Sequence, residues 1–450
     1  MKQLNPDIFL WASPLFCKDP EKSSYEYSLL NPLIQKRKII YSFIFFTRSF
    51  YSGLKKISKR KIFKCNFFNS GPRKNIVYLP GSFINNKEKN CPYFPSATNE
   101  TSFLIIDNES KLSRNFLKIC FKLFLFILPE FIRFNKKNNI LDRFVNWILL
   151  LSYFVSLDAL THYYFALYIY DLSISYPKAN HICLHEMHSY SRIVYGVTSI
   201  TRSNSTTLQH AFIHPTRLMF DLRNIKIKPY LPVTIFVWSE ESRNVLFKFG
   251  WPAAKIKFCA TERFLRYKEL SMNSDLKESS LFLNYLKNPE KEEIFLFIPS
   301  LLKDDFKLCI ISALILRSIY KDIKIMIKIH PSYKLSFIES LITLYLSLKS
   351  IKYTKSNLND LFKKRPLTFT YSSTAIFEAA LNKCPSYFIP TSLKYNGNEL
   401  VLRNILLKIA DQYKKGKILE QSSNPLYISA ERSNSFFGLD RNNFFTIIDR

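Results

Sequence analysis

The sequence predicts an α/β protein of two halves, each built on a parallel sheet, with a cleft between them. Three observations carry this. At 450 residues the chain exceeds one ordinary core, and two domains of roughly 200 residues are expected. Short apolar runs alternate with segments of helical period, which implies βαβ units. A polar stretch rich in Lys and Glu, 267–292, separates the two alternating regions and reads as a linker.

Taken in order, residues 1–70 read as a basic, aromatic extension. KKISKRK at 55–61, with Phe43, Phe45, Phe46, Phe50 and Tyr51 before it, suits an interfacial helix on anionic lipid; the solvated face of an ordinary helix is the alternative. The first domain, 71–266, opens with strands at IVYLPG and SFLIID, then a helical block over 116–172. The runs NHICLHE (180–186), TLQHAFIHP (207–215) and VTIFVW (233–238) each end in polar residues, as strands reaching a sheet edge do. SEESRNVLFKFG (239–250) is a helix closed by Gly250 at C′, and IKFCA (256–260) completes this half. The second domain, 293–410, alternates more clearly. Strands fall at 293–299, 323–331, IKYT, LTFTY and SYFIP, and helices at 305–320, 334–348 and 374–382, with a short one after IKYT. Asp304 and Asp305 read as caps of the helix after them, and 411–450 as a tail.

Composition excludes several classes. Eight Gly in 450 residues is far below the usual share of roughly 7%. Neither a GxGxxG turn nor a GxxxxGK[ST] loop occurs, so a phosphate must be held some other way. The net charge of +30 favours polyanionic partners, although a chain rich throughout in Lys, Asn, Ile and Phe would carry an excess by bias alone. The eight Cys form no CxxC pair and sit in apolar contexts, as buried cytosolic thiols do. The N-terminal residues lack the n-h-c order of a signal peptide. Two apolar segments fall short of the ~20 residues a membrane span needs. The first, 116–134, carries Lys118, Lys122, Pro129, Glu130 and Arg133; the second, 144–157, is uncharged for only fourteen residues. A cytoplasmic protein, peripheral on the inner membrane face, is expected.

The most informative stretch is YSSTAIFEAAL, 371–381. Three hydroxyls, Ser372, Ser373 and Thr374, stand where a strand gives way to a helix, and Glu378 follows one turn on. Ligands of parallel α/β sheets bind beyond the carboxyl ends of the strands. A helix N-terminus carries unpaired N–H groups and partial positive charge, and hydroxyls there add neutral donors for a phosphate. For a single hydroxyl, a helix cap is the simpler reading. Two strands earlier, however, IKIMIKIHPSY sets His330 and Pro331 at another strand end on the same rim. His330 can donate to a phosphate oxygen and Pro331 fixes the turn. Glu378 suits a ribose diol, the alternative being a surface glutamate.

KIHPSY followed by YSSTAIFEAALNKCPSYFIP resembles the nucleotide-binding half of bacterial surface-carbohydrate glycosyltransferases of GT-B fold. In polysialyltransferases and related capsule enzymes, a His-Pro pair and a Ser/Thr cluster bind the nucleotide of a CMP-sugar. Teichoic-acid glycerophosphotransferases share the layout. The resemblance implies two Rossmann-like domains facing a cleft. His330 and Pro331 then match the His-Pro pair, Ser372 and Ser373 the hydroxyl pair, and Glu378 the acidic residue of the next helix. In the first half, WSEESRNVLFKFGWPAAKIKFCATERF resembles the family's helix, turn and strand, with Arg263 where a cleft-facing Arg is found. TTLQHAFIHP resembles a Q-H-G loop, with Ala211 in place of the Gly. The resemblance covers roughly 180–400, and neither 1–70 nor the tail matches the family.

Glycosyl transfer needs a base for the acceptor hydroxyl and stabilisation of the departing phosphate. Glu186 is the expected base, by position and by the resemblance; His210 is its competitor, and Gln209 is expected to position substrate. No D-x-D occurs, so a metal-independent transferase with no cofactor is expected. His185-Glu186-Met187-His188 is one residue short of H-E-x-x-H and, with His181, lies beside a strand, so zinc is not expected. The partners implied are a nucleotide-sugar donor and a glycan or lipid-linked glycan acceptor, without nucleic acid. Three alternatives stay open: a CDP-polyol phosphotransferase, a non-catalytic scaffold of polysaccharide assembly, and a nucleic-acid-binding protein whose positives are diffuse.

Overall fold

The computed structural model describes residues 4–13, 15, 38–59, 64–67, 74–80, 99–107, 115–184, 188–209, 213, 220–223, 229–261, 293–299, 303–329, 335, 337–354, 356–371, 373–389, 399–414, 428, 433, 437 and 447. Its contacts divide the chain into two units, Met1–Arg263 with Arg441–Arg450, and Phe264–Asp440. The expected linker at 267–292 lies outside the described residues.

The first unit holds a seven-stranded sheet: β1 (Lys64–Phe67), β2 (Asn75–Pro80), β3 (Thr101–Asp107), β4 (Asn180–Cys183), β5 (Asn204–Leu208), β6 (Thr234–Val237) and β7 (Ile256–Phe258). The order is β1-β3-β2-β4-β5-β6-β7, parallel throughout except that β1 pairs antiparallel with β3. The chain therefore reverses its direction of progress across the sheet between β2 and β4. Among the described residues, seven α-helices belong to this unit: α1 (Pro6–Ala12), α2 (Lys38–Lys59), α3 (Phe116–Asn135), α4 (Ile140–Val155), α5 (Asp158–Ser175), α6 (Ser189–Thr201) and α7 (Glu240–Lys248). Among the described residues no single helix is long and apolar enough to cross a membrane. Only α4 and α5 taken together reach that length, and they are bent by 66°.

The reading of residues 1–70 as an extension needs correcting. Pro at N1 and the Asn5 side chain, which accepts from the Asp7 N–H, start α1. Its residues Ile8, Phe9, Leu10 and Trp11 are wholly buried in the unit's core. The Arg192 guanidinium lies 3.9 Å from the Trp11 ring centroid and donates to the Trp11 carbonyl at 3.0 Å. Trp11 Nε1 donates to the Tyr230 carbonyl at 3.1 Å. A Cβ at Gly196 of α6 would come within 2.7 Å of the Ile8 side chain, so a glycine permits this approach. A seven-residue helix with one apolar cluster carries too little period to announce itself in sequence.

The second unit holds β8 (Ile294–Phe297), β9 (Lys324–Lys328), β10 (Ile351–Thr354), β11 (Leu367–Thr370) and β12 (Ser386–Phe388), all parallel, in the order β10-β9-β8-β11-β12. Counted along the chain this is 3-2-1-4-5, the Rossmann order, and it reverses between β8 and β11. The helices are α8 (Lys303–Ile319), α9 (Phe337–Leu348), α10 (Leu358–Phe362), α11 (Ala375–Leu381) and α12 (Glu399–Lys414). Phe295 and Phe297 of β8 pack with α8, α9 and α12, whereas Leu296 and Ile298 pack with α10 and α11. A sheet covered on both faces explains the unbroken apolar runs of its strands.

Trp11→Ala is expected to cost about 3–5 kcal/mol, read as a lower urea midpoint of the full-length chain. Unchanged stability would show that α1 is not part of this core.

Candidate functional site

At the carboxyl edge of the second sheet, the turn after β11 is built around a hydroxyl that sequence reasoning passed over. Thr370 Oγ1 donates to the Ile298 carbonyl beyond β8 at 2.6 Å and accepts from the Ser373 N–H at 3.1 Å. Thr370 is fully buried and ties the two strand ends on either side of the order reversal. Its signal was the period-two placement of Thr368 and Thr370 in LTFTY, which puts both on one face. Ser373 Oγ accepts from the Ala375 N–H at 3.3 Å. Thr374 occupies the N-cap position in helical conformation and makes no side-chain cap bond, so it does not cap in the usual way. The half-buried hydroxyls of Ser373 and Thr374 thus keep protons to give. Ser372 lies outside the described residues. On the other face, the buried Tyr371 hydroxyl bonds Ser312 of α8, and burial pushes its ionisation far up.

Glu378 of α11 is 4% exposed, so the surface-glutamate alternative does not hold. Asp304 and Asp305 do not precede their helix; α8 begins at Lys303, so both lie in its first turn, and Asp305 is buried. Burial, and then the Asp305 carboxylate, push the Cys309 thiol well above its ordinary value. His330 and Pro331 lie outside the described residues, directly after β9 and Ile329. Since β9 and β11 flank β8, their carboxyl ends stand two strand spacings apart, roughly 10 Å.

In the first unit, β4 ends at Cys183 and α6 begins at Ser189; Glu186, with His185, lies outside the described residues, as do His210 and Arg263. Gln209, expected to position substrate, is 1% exposed and serves the framework. Its backbone N–H donates to the Phe236 carbonyl at 2.9 Å. Its Nε2 donates to Ser242 Oγ at 3.0 Å, and its Oε1 accepts from the Trp238 N–H at 2.9 Å. Ser239 Oγ accepts from the Ser242 N–H to start α7, so the Gln209 amide locks the β5 end to the β6–α7 turn.

His181 of β4 is likewise an interior residue. Its Nδ1 is 2.6 Å from the Tyr78 hydroxyl and its Nε2 3.3 Å from Ser173 Oγ, which takes both ring nitrogens out of the reach of a metal. Burial pushes its pKa from 6.5 down to about 4. Among the described residues, no three His, Cys, Asp or Glu side chains are grouped to hold a metal ion.

No family model matches the chain, and no curated protein matches it in sequence. Several solved structures resemble it. One is UDP-GlcNAc 2-epimerase from Methanocaldococcus jannaschii, at 14% identity over 64% of this chain and 82% of that one, TM-score 0.39. A second is HepE from Anabaena in complex with UDP-glucose, at 13% identity over 60% and 78%, TM-score 0.39. A third is a glycosyltransferase from Rickettsia africae, at 14% identity over 62% and 78%, TM-score 0.38. At this level of likeness, superposition assigns neither donor nor acceptor.

The depressed His181 pKa sets a pH dependence. Below about pH 6.5 the unfolded chain takes up a proton that folded His181 accepts only near pH 4. This contribution is complete above pH 6.5 and is lost as pH falls toward 4. Relative to His181→Gln, wild-type stability should shrink over that window by roughly 3 kcal/mol, measured by chemical denaturation at several pH values. A constant difference from pH 7 to pH 4 would contradict the assignment.

Proposed function

We propose that the chain is a glycosyltransferase of GT-B type that moves a sugar from a nucleotide donor, CMP-linked by the motif resemblance, onto a surface-polysaccharide acceptor. The observation that carries this reading is the turn held by the Thr370 hydroxyl and the Ser373 N–H across the order reversal of a parallel sheet, two strand spacings from the end of β9, where the KIHP segment begins. In the reaction, the acceptor hydroxyl loses its proton to a base and forms a bond to the anomeric carbon as the bond to the phosphate oxygen breaks. Negative charge gathers on that phosphate. His330, Pro331, Ser372, Ser373 and Thr374 are assigned to it, and Glu378 to the ribose. Glu186 takes the acceptor proton, with His210 as its rival and Arg263 beside the substrate. With no D-x-D in the sequence, transfer is proposed to proceed without a metal. The same constellation serves a CDP-polyol donor, in which case the bond broken lies between two phosphates.

Glu186→Gln should lose about 10²–10⁴-fold in transfer rate with nucleotide affinity intact, whereas His330→Ala should lose affinity. The readouts are release of free nucleotide and calorimetric binding. Full activity of Glu186→Gln passes the role to His210. A chain that binds CMP, CDP and UDP but turns over no activated donor supports the non-catalytic scaffold.

The acceptor proposed is a glycan or a lipid-linked glycan, and for the second case the first unit has a surface suited to an anionic bilayer. α2 lies tight on the end of α4, where a Cβ on Gly53 would meet the Val155 carbonyl at 1.8 Å. Lys56 Nζ bonds Asp158 at 2.6 Å and the Ser156 carbonyl at 2.9 Å. The outward face of α2 exposes Ile40, Phe43, Ile44, Tyr51 and Leu54, and Phe43 touches the equally exposed Phe144 of α4. Arg48, Lys55 and Lys59 follow one edge of that face at helical spacing, without an acidic residue on α2. Apolar side chains beside unopposed cations match a bilayer with anionic headgroups. The protein should therefore float with phosphatidylglycerol vesicles and much less with phosphatidylcholine vesicles. Phe43→Glu should abolish flotation, and added salt should weaken it. Equal behaviour on both vesicles, or self-association through this face in their absence, would overturn the bilayer assignment.

A further inference from the structure

Lys328 is the last residue of β9 and is only 5% exposed. Strand register fixes its neighbours. It stands beside Thr354 of β10, and one step beyond the level at which Ile327, Phe297 and Phe369 lie side by side. Lys328, Ile298 and Thr370 therefore form one lateral row across β9, β8 and β11. The alternation of β9 puts Lys328 on the same face as Met326, which packs with Leu296, Ile298 and the α10–α11 layer. This is the face on which Thr370 ties the hydroxyl turn to Ile298.

The ammonium has three protons to donate. One goes to the carbonyl of Ile329, at 2.9 Å. Among the described residues it has no second acceptor and no carboxylate, although the buried Glu378 belongs to the layer covering the same face. Burial lowers its pKa. A cation 5% exposed, on the sheet face that carries Leu296, Ile298 and Met326 and with one neutral acceptor, is unfavourable, and a methionine would fill much the same volume without that cost. Such an arrangement calls for an anion that arrives from outside. Among the described residues, the hydroxyls of Ser373 and Thr374 beyond β11 lie on the same edge of the sheet and keep protons to donate. The distance from β9 to β11, roughly 10 Å, can be bridged by a four-carbon stem and a phosphate.

We propose that Lys328 is the cation of a phosphate site on this edge of the sheet, and that it takes an oxygen of the donor's phosphate or diphosphate. The naming of a nucleotide donor rests on the function proposed above; the anion site itself rests on Lys328 and its row. A lysine suits the place because it acts as a compact point charge, needing no planar two-pronged partner.

The test uses the full-length protein with two probes, inorganic pyrophosphate and the nucleotides CMP, CDP and UDP, followed by calorimetry and thermal melting. Lys328→Met should leave the ligand-free melting temperature unchanged or raised, and should weaken pyrophosphate and nucleotide alike by about tenfold or more. Lys328→Arg should keep part of the affinity. Should the methionine variant not fold, Lys328→Gln supplies the uncharged comparison. A lower melting temperature with unchanged affinity would mean that Lys328 merely ties the β9 end, and would overturn the proposal. Nucleotide binding that is indifferent to Lys328 leaves the transferase reading standing and removes the lysine from it. Lys328-dependent pyrophosphate binding without any nucleotide binding keeps the site and removes the nucleotide donor. If the wild type binds neither pyrophosphate nor any of the nucleotides, the proposal is overturned.

Discussion

The order of strands in the second unit decides where everything else can be. Five parallel strands arranged β10-β9-β8-β11-β12 place two successive connections on opposite faces, and only between β8 and β11 do the chain ends part to leave a crevice. The Thr370 hydroxyl spans that line by bonding the Ile298 carbonyl. With eight glycines in the whole chain, no glycine-rich phosphate-loop motif occurs in the sequence. The donors proposed for a phosphate are instead side chains at the sheet edge, those of Ser373, Thr374 and Lys328. That substitution suits a rigid site, because strand-end side chains are aimed by the sheet register rather than by loop conformation.

The first unit uses its polar interior differently. Tyr78, His181 and Ser173 form one buried set, and Tyr153 with His162 another, in which the two polar atoms are 2.6 Å apart. Gln209 joins two strand ends through both atoms of its amide. These groups are satisfied within the protein, and a satisfied buried network specifies packing. The contrast with Lys328 is instructive, since among the described residues this buried cation of the second unit keeps spare protons on the same sheet edge as the hydroxyls of Ser373 and Thr374.

The second unit was legible in sequence because its strands are covered on both faces. EIFLFIP, IKIMIKIHP and LTFTY read as continuous apolar runs, and the helices between them are long enough to show their period. Strand ends were placed within a few residues, which sufficed to set the KIHP and YSST segments on one rim. Other features were not legible. The α1 helix is short, and its burial depends on Arg192 and Tyr230, far away in sequence. Gln209 looked like a substrate ligand because its motif gave no sign of Ser242 and Trp238 nearby. Thr370 and Lys328 carry the edge of the sheet, but a buried threonine or lysine within an apolar run is indistinguishable from a tolerated one until register is known.

The central claim is that the carboxyl edge of the second unit's sheet receives a nucleotide. Amide hydrogen exchange of the full-length chain, with and without saturating CMP, CDP or UDP, tests it most directly. The account predicts slowed exchange in peptides that cover the turn after β11 and the segment after β9, with no change at the amino ends of the same strands. Protection confined to the amino edge, or to the first unit alone, would contradict it.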